Sequence, residues 1–220
     1  EEVVENVKLS DFARREILAL RQNLITKVME YEKDVIYKKY EHKIGELITG
    51  EVNQVFKKEI LVHDEDDVEL VLPRSEQIPA DKYKKGDTLT AVVARVDVNS
   101  STPRITISRT SPQFLERLME TEIPEVYDGL ITIKNVVRTP GERAKVLVES
   151  YDDRIDPVGA CVGMKGSRIH SIVRELRNEN IDVINYTSNT SLLISRALSP
   201  AKISSIELDE ENKTANVYMK

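Results

Sequence analysis

A chain of 220 residues, 40% hydrophobic, 32% charged and 5% aromatic with no Trp, has an ordinary globular composition with room for two small domains or one large one. Its single cysteine, Cys161, excludes an internal disulfide and a Cys-rich zinc site, and no apolar run reaches the length of a membrane span. Thirty-eight acidic residues against 32 basic ones give a net charge of −6, which argues against a uniformly basic nucleic-acid binder. With neither an initiator Met nor a signal-peptide pattern at Glu1, the chain is expected to be a processed or excised piece of a soluble, monomeric, cytoplasmic protein.

Residues 12 to 40 read as one long helix. Ile17, Leu20, Leu24, Val28, Tyr31 and Val35 recur at spacings of 3 and 4, the mark of one apolar stripe. Ser10 stands before them as a cap. Such a stripe needs a partner, either a neighbouring domain or another protein.

Residues 44 to 110 change character. Five short runs rich in Val, Ile, Leu and Thr are separated by turn signals at "HDEDD", "YKKGD" and "NSSTP". A short "RSEQIP" turn follows the third run. Five strands in so short a span predict a small closed barrel. The acids of "HDEDD" lack the spacing of a calcium loop and read as a solvated turn.

Residues 111 to 200 alternate in type: helix, strand, strand, helix, loop, helix, strand, helix. "SPQFLERLMET" opens with Pro in its first turn. "GLITIKNVVR" and "RAKVLVES" are strands joined by "TPGE". Asp156 caps a short helix starting at Pro157, and "GMKG" separates it from "SRIHSIVRELRNE". Residues 201 to 220 read as two strands around "DEEN", too little to be stable alone.

The loop carries the chemistry. A nucleotide P-loop needs four residues between its glycines and a hydroxyl residue after its lysine. Gly159 and Gly163 enclose only three, and Gly166 follows Lys165. The short "GMKG" turn suits another ligand. Gly163 and Gly166 allow a tight turn and a close approach, the following helix start favours anions, and Lys165 adds a mobile cation. Residues 165 to 177 hold Lys165, Arg168, Arg174 and Arg177 against one acid, Glu175, in an otherwise acidic chain. This is the means by which a GxxG loop grips a sugar-phosphate backbone. Cys161 and His170 lie on different helices without a group to orient the histidine, so no nucleophile–base pair is expected. His42, His63 and His170 are scattered and form no metal set.

The order of elements from 112 to 198 resembles a prokaryotic-type (type II) KH domain, and the barrel resembles the S-one-type OB-fold. Together with "PRSEQIP", "LSP" and "DPVGACVGMKGSR", the pair is similar to the NusA family of bacterial transcription factors over essentially the whole chain. The resemblance implies an α+β multidomain fold. Residues 1–43 would end an RNA-polymerase-binding N-terminal domain, 44–110 form the barrel, 111–200 the first KH domain and 201–220 the start of a second.

The resemblance also implies a non-catalytic, cofactor-free factor that binds RNA polymerase and nascent single-stranded RNA. Such a factor tunes pausing and termination and joins other elongation and antitermination factors. RNA would lie along Gly163, Met164, Lys165 and Gly166 into Ser167, with Arg168, Ile169 and Arg174 beside it. Bases would sit in a groove of Ile155, Val162, Ile169, Ile172 and residues 181–184.

The barrel departs from its type. The two positions that often carry stacking aromatics hold Lys58 and Leu61, and a frequent histidine is Pro73. Weak RNA binding through Lys58 and Arg109, or a spacer role, is expected of it. Two alternatives remain: an accessory region of a phosphorolytic exoribonuclease, where the two modules also occur together, and a protein-interaction scaffold.

Overall fold

A computed structural model of the chain describes residues 12–98, 103–209 and 211–219. Helix α1, Arg14–Glu41, is free of Gly and Pro and rich in Leu, Lys, Glu and Arg. The Glu16 carboxylate accepts the Ala13 N–H at 2.9 Å and closes its first turn; the expected cap Ser10 lies outside the described residues. Its apolar stripe is exposed, with Leu20, Leu24, Val28, Tyr31 and Val35 all open to solvent. Among the described residues only its last turns dock. Tyr40 is buried in the barrel core, Ile36 packs beside it, and the Tyr40 hydroxyl donates to Asp64 while Lys39 pairs with Asp66. The acidic turn is therefore the landing place of α1 rather than a merely solvated bend.

The five expected strands form: β1 Leu47–Val55, β2 Glu59–His63, β3 Glu69–Pro73, β4 Thr88–Asp97 and β5 Arg104–Ser108. They close in the order β1-β2-β3-β5-β4, with β3 and β5 parallel. Period-2 alternation sends Ile60, Val62, Leu70, Leu72, Ile105 and Ile107 inward. Gly50 is required where β1 meets β2, since a Cβ there would stand 2.5 Å from the His63 carbonyl oxygen. "RSE" makes a single 3₁₀ turn, Arg74–Glu76, after β3.

The second half also follows the expected order, with one addition. Helix α2 spans Pro112–Glu122, capped by Ser111, and the single-turn α3, Pro124–Tyr127, follows at the second Pro. Then come β6 Ile131–Thr139, β7 Arg143–Ser150, α4 Pro157–Val162, a 3₁₀ turn Met164–Gly166, α5 Ser167–Glu175, β8 Asn180–Asn185 and α6 Thr190–Leu198. The sheet runs β6-β7-β8, antiparallel then parallel. A parallel β7/β8 pair needs a crossover, and α4, the turn and α5 supply it. Phe114, Leu115 and Met119 of α2 pack with Val146, Val148, Cys161 and Ile172. The hairpin of β9 Ile203–Asp209 and β10 Thr214–Met219 is a separate two-stranded sheet.

Two buried guanidiniums join the halves. Arg109, expected to reach RNA from the barrel, is 0% exposed. Its Nε donates to Asp81 Oδ2 at 2.9 Å, Nη1 to Thr90 O at 2.5 Å and Glu175 Oε1 at 2.7 Å, and Nη2 to Glu175 O at 2.8 Å. A longer bond of 3.4 Å from Nη2 to Asp81 Oδ1 completes five, the full donor count of the group. That corrects the expectation: no donor is left for a ligand. Arg138, likewise buried, grips Glu179 in a bidentate pair at 2.9 and 2.7 Å and holds the carbonyls of Arg109 and Ser111. The connection between barrel and sheet domain is thus held by charge-assisted bonds on both sides.

Candidate nucleic-acid interface

The loop is built by its neighbours. Asp156 Oδ1 accepts the Val158 N–H at 3.2 Å, so α4 begins where the sequence places its cap. The helix ends at Gly163, whose N–H reaches Gly159 O at 2.9 Å. Gly163 has φ 75° and ψ 173°, a conformation essentially confined to glycine. Lys165 (φ 54°) and Gly166 (φ 78°) then turn left-handed, and the Gly166 N–H closes on Gly163 O at 3.1 Å. A left-handed lysine costs about 1–2 kcal/mol relative to the right-handed form. What the strained turn achieves is projection: Met164 is 88% exposed, and Lys165 and Ser167 are exposed beside it.

The four cations expected here divide into two kinds. Lys165 and Arg174 are exposed and form no ion pair with another described residue. Arg168 is committed: its Nη1 donates to Ala160 O at 2.8 Å and to Glu125 Oε2 at 2.7 Å, so it straps α5 to α4 and α3. Its stem also lies over Gly163, where an added Cβ would come within 2.9 Å of Arg168 Cγ. Partial burial pushes the Glu125 carboxyl up, but a backbone N–H and Arg168 outweigh it and hold the group below its ordinary value. Arg177, the fourth, pairs with Asp81 at 2.9 Å and keeps part of its side chain in solvent.

Beside α4 the outer edge of β8 pairs with no other strand among the described residues and borders a groove of about 640 Å³. Val158, Ile181 and Val183 give it apolar walls; Arg143, Lys145 and Arg196 give it cations. Lys145 is shared with Asp182 at 3.1 Å, and Arg196 holds Asn185 O at 2.9 Å. Ile155, Val162, Ile169 and Ile181 are half-buried, as a lined groove needs. Ile172, 1% exposed, is corrected to a core residue, whereas Ile184, though largely buried, still lines the groove.

Cys161 and His170 do not meet as a reactive pair. Burial, with Glu125 adding to it, pushes the Cys161 thiol up to about 12, and His170 stands exposed on α5. Among the described residues no three His, Cys, Asp or Glu side chains gather to hold a metal, and no helix is long and apolar enough to cross a membrane.

On the barrel, Lys58 is exposed in the β1–β2 turn and unpaired among the described residues. Leu61 lies on the outer strand face opposite Val71. Ile36 and these two floor a depression of about 700 Å³ whose rim bears Glu59, Asp66, Asp67 and Glu69. Arg104, also on that rim, is tied to Glu59 at 2.6 Å. Among the described residues this face offers neither a stacking ring nor a free cation.

Residues 41–108 match the S1 RNA binding domain, and residues 109–186 match the NusA-like first KH domain. The transcription termination/antitermination protein NusA of Halalkalibacterium halodurans is 38% identical over 220 residues, all of this chain and 57% of its own length. Its counterparts in Thermus thermophilus (39% over 207 residues) and Bacillus subtilis (38% over 219) cover 94% and 99% of this chain. The chain belongs to the NusA family. It spans little more than half the length of these NusA proteins, 54% of the Thermus one and 59% of the Bacillus one.

The two matched domains meet at Arg109, the residue that ties them. That tie escaped the sequence reading, although strand parity carried a signal. Ile105 and Ile107 point inward, and Arg109 continues the same parity. The partner Glu175, sixty-six residues on, has no local signal at all.

Proposed function

We propose that this chain is the RNA-holding section of a non-catalytic transcription factor that works on RNA polymerase and the nascent transcript. The reading covers pausing, termination and antitermination, alongside other elongation factors, and it needs no cofactor. The single observation that supports it best is the Gly163–Gly166 turn. It lifts Met164 and an unpaired Lys165 into solvent at the start of α5, beside a half-apolar groove along an open strand edge. A phosphate at the turn would meet the positive end of α5 and the Lys165 ammonium. Three or four unstacked bases would fall along Val158, Ile181 and Val183. The names of the relatives supply the process, and the exposed, unpaired stripe of α1 is where a polymerase-contacting domain would continue.

The test is a titration of the chain into fluorescent single-stranded RNA at low salt, read by anisotropy. Met164→Asp with Lys165→Asp sets two carboxylates where a phosphate should lie. Both side chains are solvent-exposed, so the fold should stay intact by circular dichroism. Loss of binding with added salt is expected for the parent, and loss at all salts for the variant. Equal binding by both would remove RNA from the loop.

A further inference from the structure

The outer strand face of the barrel has the makings of a site of a different kind. Alternation sends Ile60, Val62, Leu70 and Leu72 inward, so Leu61 and Val71, paired across β2 and β3, stand on the outer parity. With Val68 and with Ile36 of α1 they floor the depression of about 700 Å³. Leu61, Val68 and Ile36 are half-buried, so each keeps apolar surface open to a ligand. Covering that surface would be favourable in proportion to the area removed from water.

The rim around this floor is acidic. Glu59, Asp66, Asp67 and Glu69 line it, and Arg104 is the one lining cation among the described residues. Arg104 is engaged by Glu59 at 2.6 Å, and Asp66 by Lys39. Two carboxylates remain better placed for a ligand. The Asp67 side chain is 88% exposed and meets the His63 ring at 2.8 Å. Glu69 is exposed and pairs with no described cation. Glu65, in the same turn as Asp67, adds another exposed carboxylate. A phosphate backbone brought here would meet like charge where it needs cations. An apolar centre within a charged rim is instead the layout of a protein-recognition patch. Residues 1–11 of this chain, with four acids and one base, have the wrong sign to fill it.

We infer that this depression receives a basic segment of a partner protein. An apolar side chain of that segment sits on Leu61 and Val71, and its Lys or Arg side chains reach Glu69 and Asp67. The inference goes beyond the RNA reading and does not depend on it. Ile36 gives the site a second property. It belongs to α1, whose last turns are held to the barrel by the buried Tyr40, by the bond of its hydroxyl to Asp64 and by the pair of Lys39 with Asp66. The floor is therefore complete only while α1 is docked. A segment that covers Ile36 and Leu61 together binds the docked form alone, so by linkage it stabilises the docking of α1.

The probe is a short fluorescent peptide of alternating Arg and Leu, titrated with the whole chain and read by anisotropy. Peptides of alternating Glu and Leu, and of alternating Arg and Ser, are the controls. The parent should bind the Arg–Leu peptide roughly tenfold more tightly than either control, because charge and apolar surface are both needed. The variant Asp67→Asn/Glu69→Lys changes two exposed side chains and leaves the pairs of Arg104 and Lys39 intact. Asp67 has φ 58°, a left-handed conformation that asparagine tolerates. Its affinity for the Arg–Leu peptide should fall roughly tenfold at low salt and by less at high salt, with the circular dichroism unchanged. Amide shifts on addition of the peptide should centre on Ile36, Leu61 and Val71. No binding of the Arg–Leu peptide, or equal binding by parent and variant, would overturn the inference. Equal binding of the Arg–Ser peptide would also overturn it, since diffuse attraction to an acidic chain would then suffice. If single-stranded RNA moves Leu61 and Val71, the face belongs to RNA and the inference fails.

Discussion

Two arginines, Arg109 just after β5 and Arg174 in the last turn of α5, look alike in sequence and do opposite things. Arg109 is buried with every donor occupied; Arg174 is exposed and unpaired among the described residues. The same contrast separates the two domains. The KH-like half spends Arg168 on bracing its loop and leaves Lys165 free, while the strand face of the barrel ties Arg104 to Glu59 and shows carboxylates. Charge counted along a chain does not give charge available to a ligand. Availability depends on which cations the fold has already consumed.

The largest effect that sharpens this comparison concerns stability. Arg109→Leu takes from Asp81, whose side chain is 0% exposed, one of its two guanidinium partners, leaving Arg177 as the cation beside it, and breaks the tie to α5. Removing one partner of a buried pair costs about 3–5 kcal/mol. The urea midpoint should fall accordingly, whereas Lys165→Ala should leave it unchanged and weaken RNA binding only. If Arg109→Leu unfolds like the parent, the buried junction is not what holds the domains.

Next come the glycines of the turn. Gly163→Ala meets both a glycine-only conformation and the Arg168 stem, so it should cost about 1–3 kcal/mol and loosen the loop. At Gly166 the nearest atom to an added Cβ is 3.9 Å away, so only the left-handed backbone opposes it, at about 1 kcal/mol. Denaturation of the two variants side by side should rank them in that order.

A chemical probe reads the packing beneath the loop. With its thiol pushed up to about 12 by burial, Cys161 should resist iodoacetamide at pH 8 in the folded chain and react on unfolding. Fast labelling of the native protein would mean that α4 opens readily.

The smallest effect is at the acidic end. Burial pushes Asp64 up, but hydrogen bonds from Tyr40, Val68 and Asp66, with Lys39 nearby, bring it below its ordinary value. A carboxylate depressed on folding contributes stability that is present above its unfolded pKa and lost as pH falls through the folded one. Asp64→Asn should therefore lower stability at neutral pH and flatten its decline below about pH 4. Thermal unfolding from pH 2 to 7 measures both.

Much of the fold was legible in residue pattern. The period-2 runs of 44 to 110 gave all five barrel strands, and Asp156, Pro157 and the paired glycines marked the helix–turn–helix, because caps and left-handed turns are local demands. α3 was missed, since a single turn at Pro124 leaves no periodicity. The stripe of α1 was legible in its spacing, and the structure shows its residues exposed. The candidate site was legible as a motif but not as a set of free charges. Arg168 and Arg109 resemble Lys165 until Glu125, Asp81 and Glu175 arrive from distant parts of the chain.

The most direct test of the central claim is an amide chemical-shift titration of the chain with single-stranded RNA. The account predicts the strongest shifts at Gly163 to Ser167 and along residues 181–183, with those of Leu61 and Val71 unmoved. Shifts centred on Leu61 and Val71, with the loop silent, would contradict it.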